Sequence, residues 1–370
     1  MHNKSLTQTC LIFIPIFLMG LGIMMIYSSS SIFAAQKYHD SAYFLKKQAL
    51  FGAFGIISML VIMRIPCFYF RKFAYPLWLA SLVLLLLVLV PGIGTKAGGA
   101  VRWLRLGPFS FQPGELAKLA VIILLAYSLA KKEHERIKDF SIGVLPNLIL
   151  VLPVCLLIVL QPDFGTAAML LALLFIMLLV AGIRKRYLVG IASLGLFAGA
   201  LLVALKSYRL ERFLTFLDPW KNSTGSGFQI VQSFLAFGSG GFLGTGLGRG
   251  TQKYFYLPEP HTDFILSVIG EELGFVGVMA VIVLFLILIM CGIKIAMNSY
   301  DLFGTYMALG IIVLIGLQTA INMGVVLGLL PTKGMPLPFI SYGGTSLVIN
   351  LMSIGILLSI SGQCSFTANK

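Results

Sequence analysis

A chain of 370 residues that is 58% hydrophobic and only 11% charged is not an ordinary soluble domain, in which about a quarter of the residues are charged. Its formal net charge of +14 is spread thinly over apolar sequence, which argues against a nucleic-acid-binding surface and points to anionic headgroups or a phosphate-bearing substrate. The five cysteines are odd in number and lack CxxC spacing, so neither a disulfide framework nor a zinc site is expected.

A transmembrane helix needs about 20 mostly apolar residues. Ten such runs occur, at 10–28, 46–63, 74–91, 114–130, 143–160, 166–183, 187–205, 263–293, 303–328 and 343–361. The predicted fold class is therefore an all-α polytopic membrane protein with ten spans, forming a single membrane domain over 1–370, with a large extracytoplasmic loop at 206–262 between the seventh and eighth spans. The first run follows MHNKSLTQTC without a small-residue cleavage pattern, so it is expected to be a retained helix. Residues 143–183 are split where Gln161, Pro162, Asp163, Phe164 and Gly165 predict a tight reversal. The eighth run is long enough to tilt or to begin as a surface turn.

Lys and Arg in short connections set the orientation. With both termini in the cytoplasm, the dense clusters at 64–72, 131–138 and 184–186 face inward. Arg102, Arg105, Lys206, Arg209, Arg212, Lys221, Arg249, Lys253 and Lys333 then lie outside, where cations suit an anionic lipid headgroup. Cys67 and Cys364 fall on the cytoplasmic side and Cys10, Cys155 and Cys291 within apolar runs.

Within the long loop, Ser233 to Phe237 is apolar enough for a short interfacial helix. Glycines 238, 240, 241, 244, 246, 248 and 250 follow, without a GxGxxG or P-loop pattern. Two explanations stay open: tight packing, and a nest of backbone N–H groups around a pyrophosphate. The loop then delivers Glu259, His261 and Asp263 to the start of the eighth span. A carboxylate there is either an N-cap, with Thr262 as the alternative cap, or a functional group. His261, Lys253 and Arg249 precede it closely, so a base, a proton partner and phosphate-binding cations are candidates to converge. Glu271 and Glu272 lie eight or more residues on, roughly 12 Å along a helix, and are expected to meet a cation inside the bundle. Glu115 and Lys118 share a face of the fourth span, as an ion pair that fixes packing or with Lys118 turned to phosphate. The segment 329–342, with Pro331, Pro336 and Pro338, cannot be a continuous helix. It is a re-entrant wall of a lipid groove or a plain turn, and Ser341 in it is a candidate substrate contact.

The motifs RWLRLGPFSFQPGELAK (102–118), QPDFGT (161–166), YRLERFLTFLDPW (208–220), YLPEPHTDFI (256–265), IGEELG (269–274) and PLPFISYGGTSL (336–347) resemble, in order and over nearly the whole chain, the FtsW/RodA (SEDS) family. One departure is Gly114, where that family commonly has Ser. Pro260 and the stretch from Pro331 to Gly344 look more like the family's division branch than its elongation branch.

The resemblance implies ten membrane helices and a glycosyltransferase that polymerises lipid II into glycan on the outer face of the bacterial cytoplasmic (inner) membrane. It assigns Asp263 to the family's essential aspartate and Glu115 with Lys118 to its buried pair. It also implies lipid II, the growing glycan, membrane lipids, a class B penicillin-binding protein and other divisome or elongasome proteins as partners. On this basis Asp263 is expected to act as a general base in an inverting transfer. Arg209, Arg212, Arg249 and Lys253, or a divalent cation such as Mg or Mn, are candidates for stabilising the pyrophosphate. Two rival readings are a lipid II flippase, which would depend on Glu271 and Glu272, and a non-catalytic scaffold for a penicillin-binding protein.

Overall fold

The computed structural model describes residues 2–97, 100–107, 109–132, 136–204, 207–223, 225, 227–250, 261–332 and 334–367. Its helices are α1 (His2–Tyr38), α2 (Tyr43–Ile62), α3 (Cys67–Leu89), α4 (Pro113–Ala130), α5 (Leu145–Leu160), α6 (Phe164–Val180), α7 (Lys185–Ala204), α8 (Ser207–Leu217), α9 (Phe228–Gly240), α10 (Ile265–Met297), α11 (Leu302–Val326) and α12 (Gly344–Thr367). Among the described residues, eight helices are long and apolar enough to cross a membrane: α1 to α5 and α10 to α12, the fifth counted with the π-turn before it. The apolar α6 is shorter, at 17 residues. Helices dominate because, in lipid, they satisfy every backbone polar group within the segment.

The all-α expectation needs one correction. Residues 94–111 form a three-stranded antiparallel meander of β1 (Gly94–Ala97), β2 (Ala100–Leu106) and β3 (Phe109–Phe111), in which β2 pairs with both neighbours. Val101–Leu106 (VRWLRL) shows no strict alternation, and strands of 4, 7 and 3 residues are too short for a search for long apolar runs to find.

The meander ties distant connections together. Arg102 donates to the Pro162 carbonyl and lies 3.8 Å from Asp163. Asp163 accepts from the Thr166 amide at 3.2 Å and so caps α6, which explains the reversal at 161–165. Thr345 Oγ1 accepts from the Gln112 amide and donates to the Ser110 carbonyl, and the Tyr342 amide donates to the His261 carbonyl at 2.9 Å. Arg102, Ser110 and Gln112 of the meander region, Pro162 and Asp163, His261, and Tyr342 with Thr345 therefore lie at one end of the bundle. At the other end Arg71 pairs with Asp301 and Arg184 with Asp139. Arg102 is accordingly a structural cation.

The core centres on α4, which is buried along almost its whole length and packs against α3 and α11, with α5, α6 and α12 also touching it. Pro113 opens it at a position where no amide donor is needed.

The eighth predicted span is a discontinuous helix. Gly274 has φ +67° and ψ −166° inside α10, so Ile265–Leu273 and the 275–297 stretch are separate helical pieces. The glycine loop after α9 closes this break. Thr245 and Gly246 donate their amides to the Glu271 and Glu272 carbonyls, and the amides of Phe275 and Val276 donate to Gly241 and Phe242. Gly244 sits at φ +83°, where a Cβ would lie 2.2 Å from the Glu272 carbonyl oxygen. A Gly244→Ala protein should therefore lose about 2 kcal/mol or more of stability from left-handed strain and overpacking. Its melting temperature in detergent should fall by several degrees, and an unchanged melt would refute this packing role.

α9 carries the expected short helix of Ser233 to Phe237. It is packed into protein: Ser233 Oγ lies 2.7 Å from the Val326 carbonyl and 2.8 Å from Ser267 Oγ.

Candidate active site around Asp263

Residues 261–264 form a turn that leads into α10, and the capping position falls on Phe264 with no side-chain cap. The capping position thus falls one residue after Asp263 and two after Thr262. The partly exposed Asp263 side chain lies against Gly334: a Cβ on that glycine would stand 3.0 Å from Asp263 Oδ2. The Asp263 carbonyl accepts from Asn322 Nδ2 at 2.9 Å.

Residues 334–343 are non-helical, with Met335, Leu337, Phe339, Ile340 and Ser341 all buried. Irregular backbone at membrane depth needs protein partners, and side chains provide them. Asn322 Nδ2 donates to the Met335 carbonyl at 2.7 Å and Gln318 Nε2 to that of Pro336 at 3.0 Å. Gln48 Nε2 donates to the Ser341 carbonyl at 3.2 Å and its Oε1 accepts from the Gly343 amide. Ser341 Oγ accepts from the Leu337 amide at 2.8 Å. The segment is thus a buried wall beside Asp263, and the Ser341 hydroxyl braces its turn.

His261 is buried among Phe33, Phe44 and Tyr342, with ring centroids 4.6 Å from Phe44 and 5.6 Å from Tyr342. Burial pushes its pKa down from 6.5 to about 4, so the ring is neutral near pH 7 and anchors the Asp263 turn through apolar contact. Because the folded-state pKa is depressed, its contribution is fully present above pH 6.5 and is lost as pH falls from there toward 4. The expected slope is about 1.4 kcal/mol per pH unit. Melting temperatures should fall from pH 7 to 4.5, and His261→Phe should flatten that fall. Identical pH dependence in the two proteins would refute the assignment.

Lys118 Nζ lies 2.7 Å from Glu115 Oε1, both groups being almost wholly buried, and 3.5 Å from Gln318 Oε1. The pair therefore abuts the same wall from the α4 side.

Other candidates are placed elsewhere. Arg249 is exposed in the glycine loop, whose backbone is bound to Glu271 and Glu272. Roughly 9 Å of helix rise separates Ile265 from Glu271. The Gly244, Thr245, Gly246 and Gly248 amides are all used internally, the last donating to Glu272 Oε2 at 2.9 Å. This decides for close packing over a pyrophosphate nest. Glu272 also accepts from Ser28 Oγ at 2.7 Å. Arg209 and Arg212 belong to the backbone of α8. Lys253 and Glu259 lie outside the described residues. Among the described residues, no three His, Cys, Asp or Glu side chains are grouped to hold a metal ion.

Sequence reasoning missed Gln48, Gln318 and Asn322. Each is a lone amide within an apolar run, a pattern that itself marks a costly, used polar group.

Residues 8–365 match the model of a family of cell cycle proteins that groups FtsW, RodA and SpoVE. A relative from Geobacter sp. (strain M18), named "Probable peptidoglycan glycosyltransferase FtsW", is 49% identical over 92% of each chain. Of solved structures, one from work on "structural coordination of polymerization and crosslinking by a peptidoglycan synthase complex" is similar at a TM-score of 0.78 and 35% identity, covering 96% of this chain and 97% of that one. The rod shape determining protein RodA of Thermus thermophilus is similar at a TM-score of 0.71 and 31% identity, over 95% and 96% of the two chains.

Proposed function

From the premise that this chain belongs to the FtsW/RodA/SpoVE family, we propose that it is a cell-division peptidoglycan glycosyltransferase that polymerises lipid II. The observation that carries the chemical reading is the partly exposed Asp263 carboxylate, at the mouth of α10 and set against a buried, side-chain-braced wall.

The 4-hydroxyl of an incoming lipid-linked disaccharide attacks the anomeric carbon of a chain held on polyprenyl pyrophosphate. A hydroxyl becomes an effective nucleophile when a base takes its proton. Asp263 accepts that proton as the new C–O bond forms, the bond to pyrophosphate breaks, and the electron pair leaves with the phosphate. Attack opposite the leaving group inverts the sugar. Arg209, Arg212 and Lys253 are the cations proposed for the departing charge, with Glu259 as a proposed substrate contact; the buried His261 and Ser341 shape the site and Arg249 lies apart from it.

Ten spans follow if α6 and α7 cross as well, which brings the connections at 161–166 and 206–262 to the end of the bundle that holds 92–113. That end is proposed to face outward from the cytoplasmic membrane, with both termini inside. The proposed protein partner is a class B penicillin-binding protein, supported by similarity to a structure from work joining polymerization and crosslinking.

Purified protein with its partner, supplied with lipid II, should form glycan strands. Movement of lipid II across vesicles without glycan would identify a flippase instead. No glycan without the partner's own polymerising activity, and no lipid movement, would identify a scaffold.

A further inference from the structure

α11 is an apolar helix, yet Gln318 and Asn322 sit one turn apart on it, each about 1% exposed. A buried amide is costly unless its hydrogen-bonding groups are used, and it is the Nδ2 side of Asn322 that is used, Oδ1 having no partner among the described residues. Asn322 Nδ2 donates to two main-chain carbonyls, Asp263 at 2.9 Å and Met335 at 2.7 Å. Two carbonyl partners require the nitrogen, and not the oxygen, on that side. The partners are far apart in sequence, and neither backbone lies in a helix or strand there.

The consequence is geometric. Asn322 clasps the turn that carries Asp263 to the wall residue Met335, and Gly334, next to Met335, is the residue against which the Asp263 carboxylate rests. Gln318 holds the next carbonyl of the wall, Pro336, and faces Lys118. One rigid helix therefore sets both sides of the gap in which the carboxylate stands.

We propose that Asn322 is a positioning residue for Asp263, acting by bridging the Asp263 and Met335 carbonyls so that the carboxylate is held at a fixed offset from the 334–336 wall. This rests on Asp263 as the base of glycan polymerisation. Asn322 does not touch substrate; it acts through Asp263. Gln318 supports the same clasp from one turn earlier.

A misplacement of about 1 Å in a catalytic group lowers turnover by roughly 10²-fold. Full-length Asn322→Leu and Asn322→Ala proteins, each with the partner and lipid II, should therefore lose about 10²-fold in kcat per folded molecule. KM for lipid II should stay within about twofold, because the substrate contacts are elsewhere. Hydrogen exchange at residues 261–264 and 334–337 should quicken in both variants while α4 and α12 remain protected, which separates a local loosening from unfolding. Unchanged kcat per folded molecule in either variant, alongside an active wild type, overturns the positioning role and leaves the polymerase reading intact. A fall in kcat accompanied by general loss of protection assigns Asn322 to stability alone and also overturns it. A wild type that forms no glycan overturns the polymerase reading itself.

Discussion

Asp263→Asn should lower glycan polymerisation by about 10² to 10⁴-fold, the range that a positioned general base contributes. The substitution keeps the size of the side chain and removes its capacity to take a proton. Two features make the test clean. The capping position of α10 falls on Phe264 and not on Asp263, and the Asp263 backbone carbonyl remains available to Asn322. The variant should therefore melt within a few degrees of wild type, and its affinity for lipid II should be little changed. Turnover within about threefold of wild type would remove Asp263 from the role of base. Retention of lipid II movement across vesicles in a protein that forms no glycan would point to transport.

The second large effect is on stability. Lys118→Met leaves the Glu115 carboxylate almost wholly buried beside Gln318 without its ammonium partner. Breaking a buried ion pair at one end costs about 3–5 kcal/mol, because an uncompensated charge remains in a low-dielectric interior. The single variant should melt many degrees lower or fail to accumulate. Neutralising both ends, as in Glu115→Gln with Lys118→Met, should restore most of the stability, since paired neutral groups of similar volume are often as good as the ion pair. A single variant as stable as wild type would mean that the two groups are not an ionised couple. The double variant should still turn over more slowly than wild type, because Gln318 loses a donor at the wall that faces Asp263. Full turnover in it would confine the pair to a packing role.

Much of the fold was legible because its strongest signal is one-dimensional. Runs of apolar residues mark helices wherever lipid withholds partners from the backbone, and eight of the ten expected spans meet the length and hydropathy that crossing requires. The reversal at 161–165 was legible because Pro162, Asp163 and Gly165 are turn and cap residues. The pairing of Glu115 with Lys118 followed from helical spacing. The small sheet was not visible, since its strands are short and lie in a connection. The break in α10 was hidden as well: Gly274 is one glycine among many, and its left-handed backbone is revealed only by the loop that docks on it.

The candidate site divides in the same way. The sequence alone singled out Asp263, as a costly carboxylate at the mouth of an apolar run, and identified 329–342 as a segment that cannot be helical. It also grouped Arg249 with Asp263, because they are neighbours along the chain. Tertiary structure separates them, binding the backbone around Arg249 to Glu271 and Glu272 at the far end of the first half of α10. It turns His261 into a neutral ring in an aromatic cluster, uses the glycine amides for packing, and brings Asn322, Met335 and Asp263 together. Local chemistry and hydropathy depend on residues that are adjacent or periodic, so they are written in the sequence. Burial, hydrogen-bond partners and the charge environment depend on segments 50 to 300 residues apart meeting in space, as Asn322 with Asp263 (|i−j| = 59) and Gln48 with Ser341 (|i−j| = 293) do, and only the packed bundle decides them.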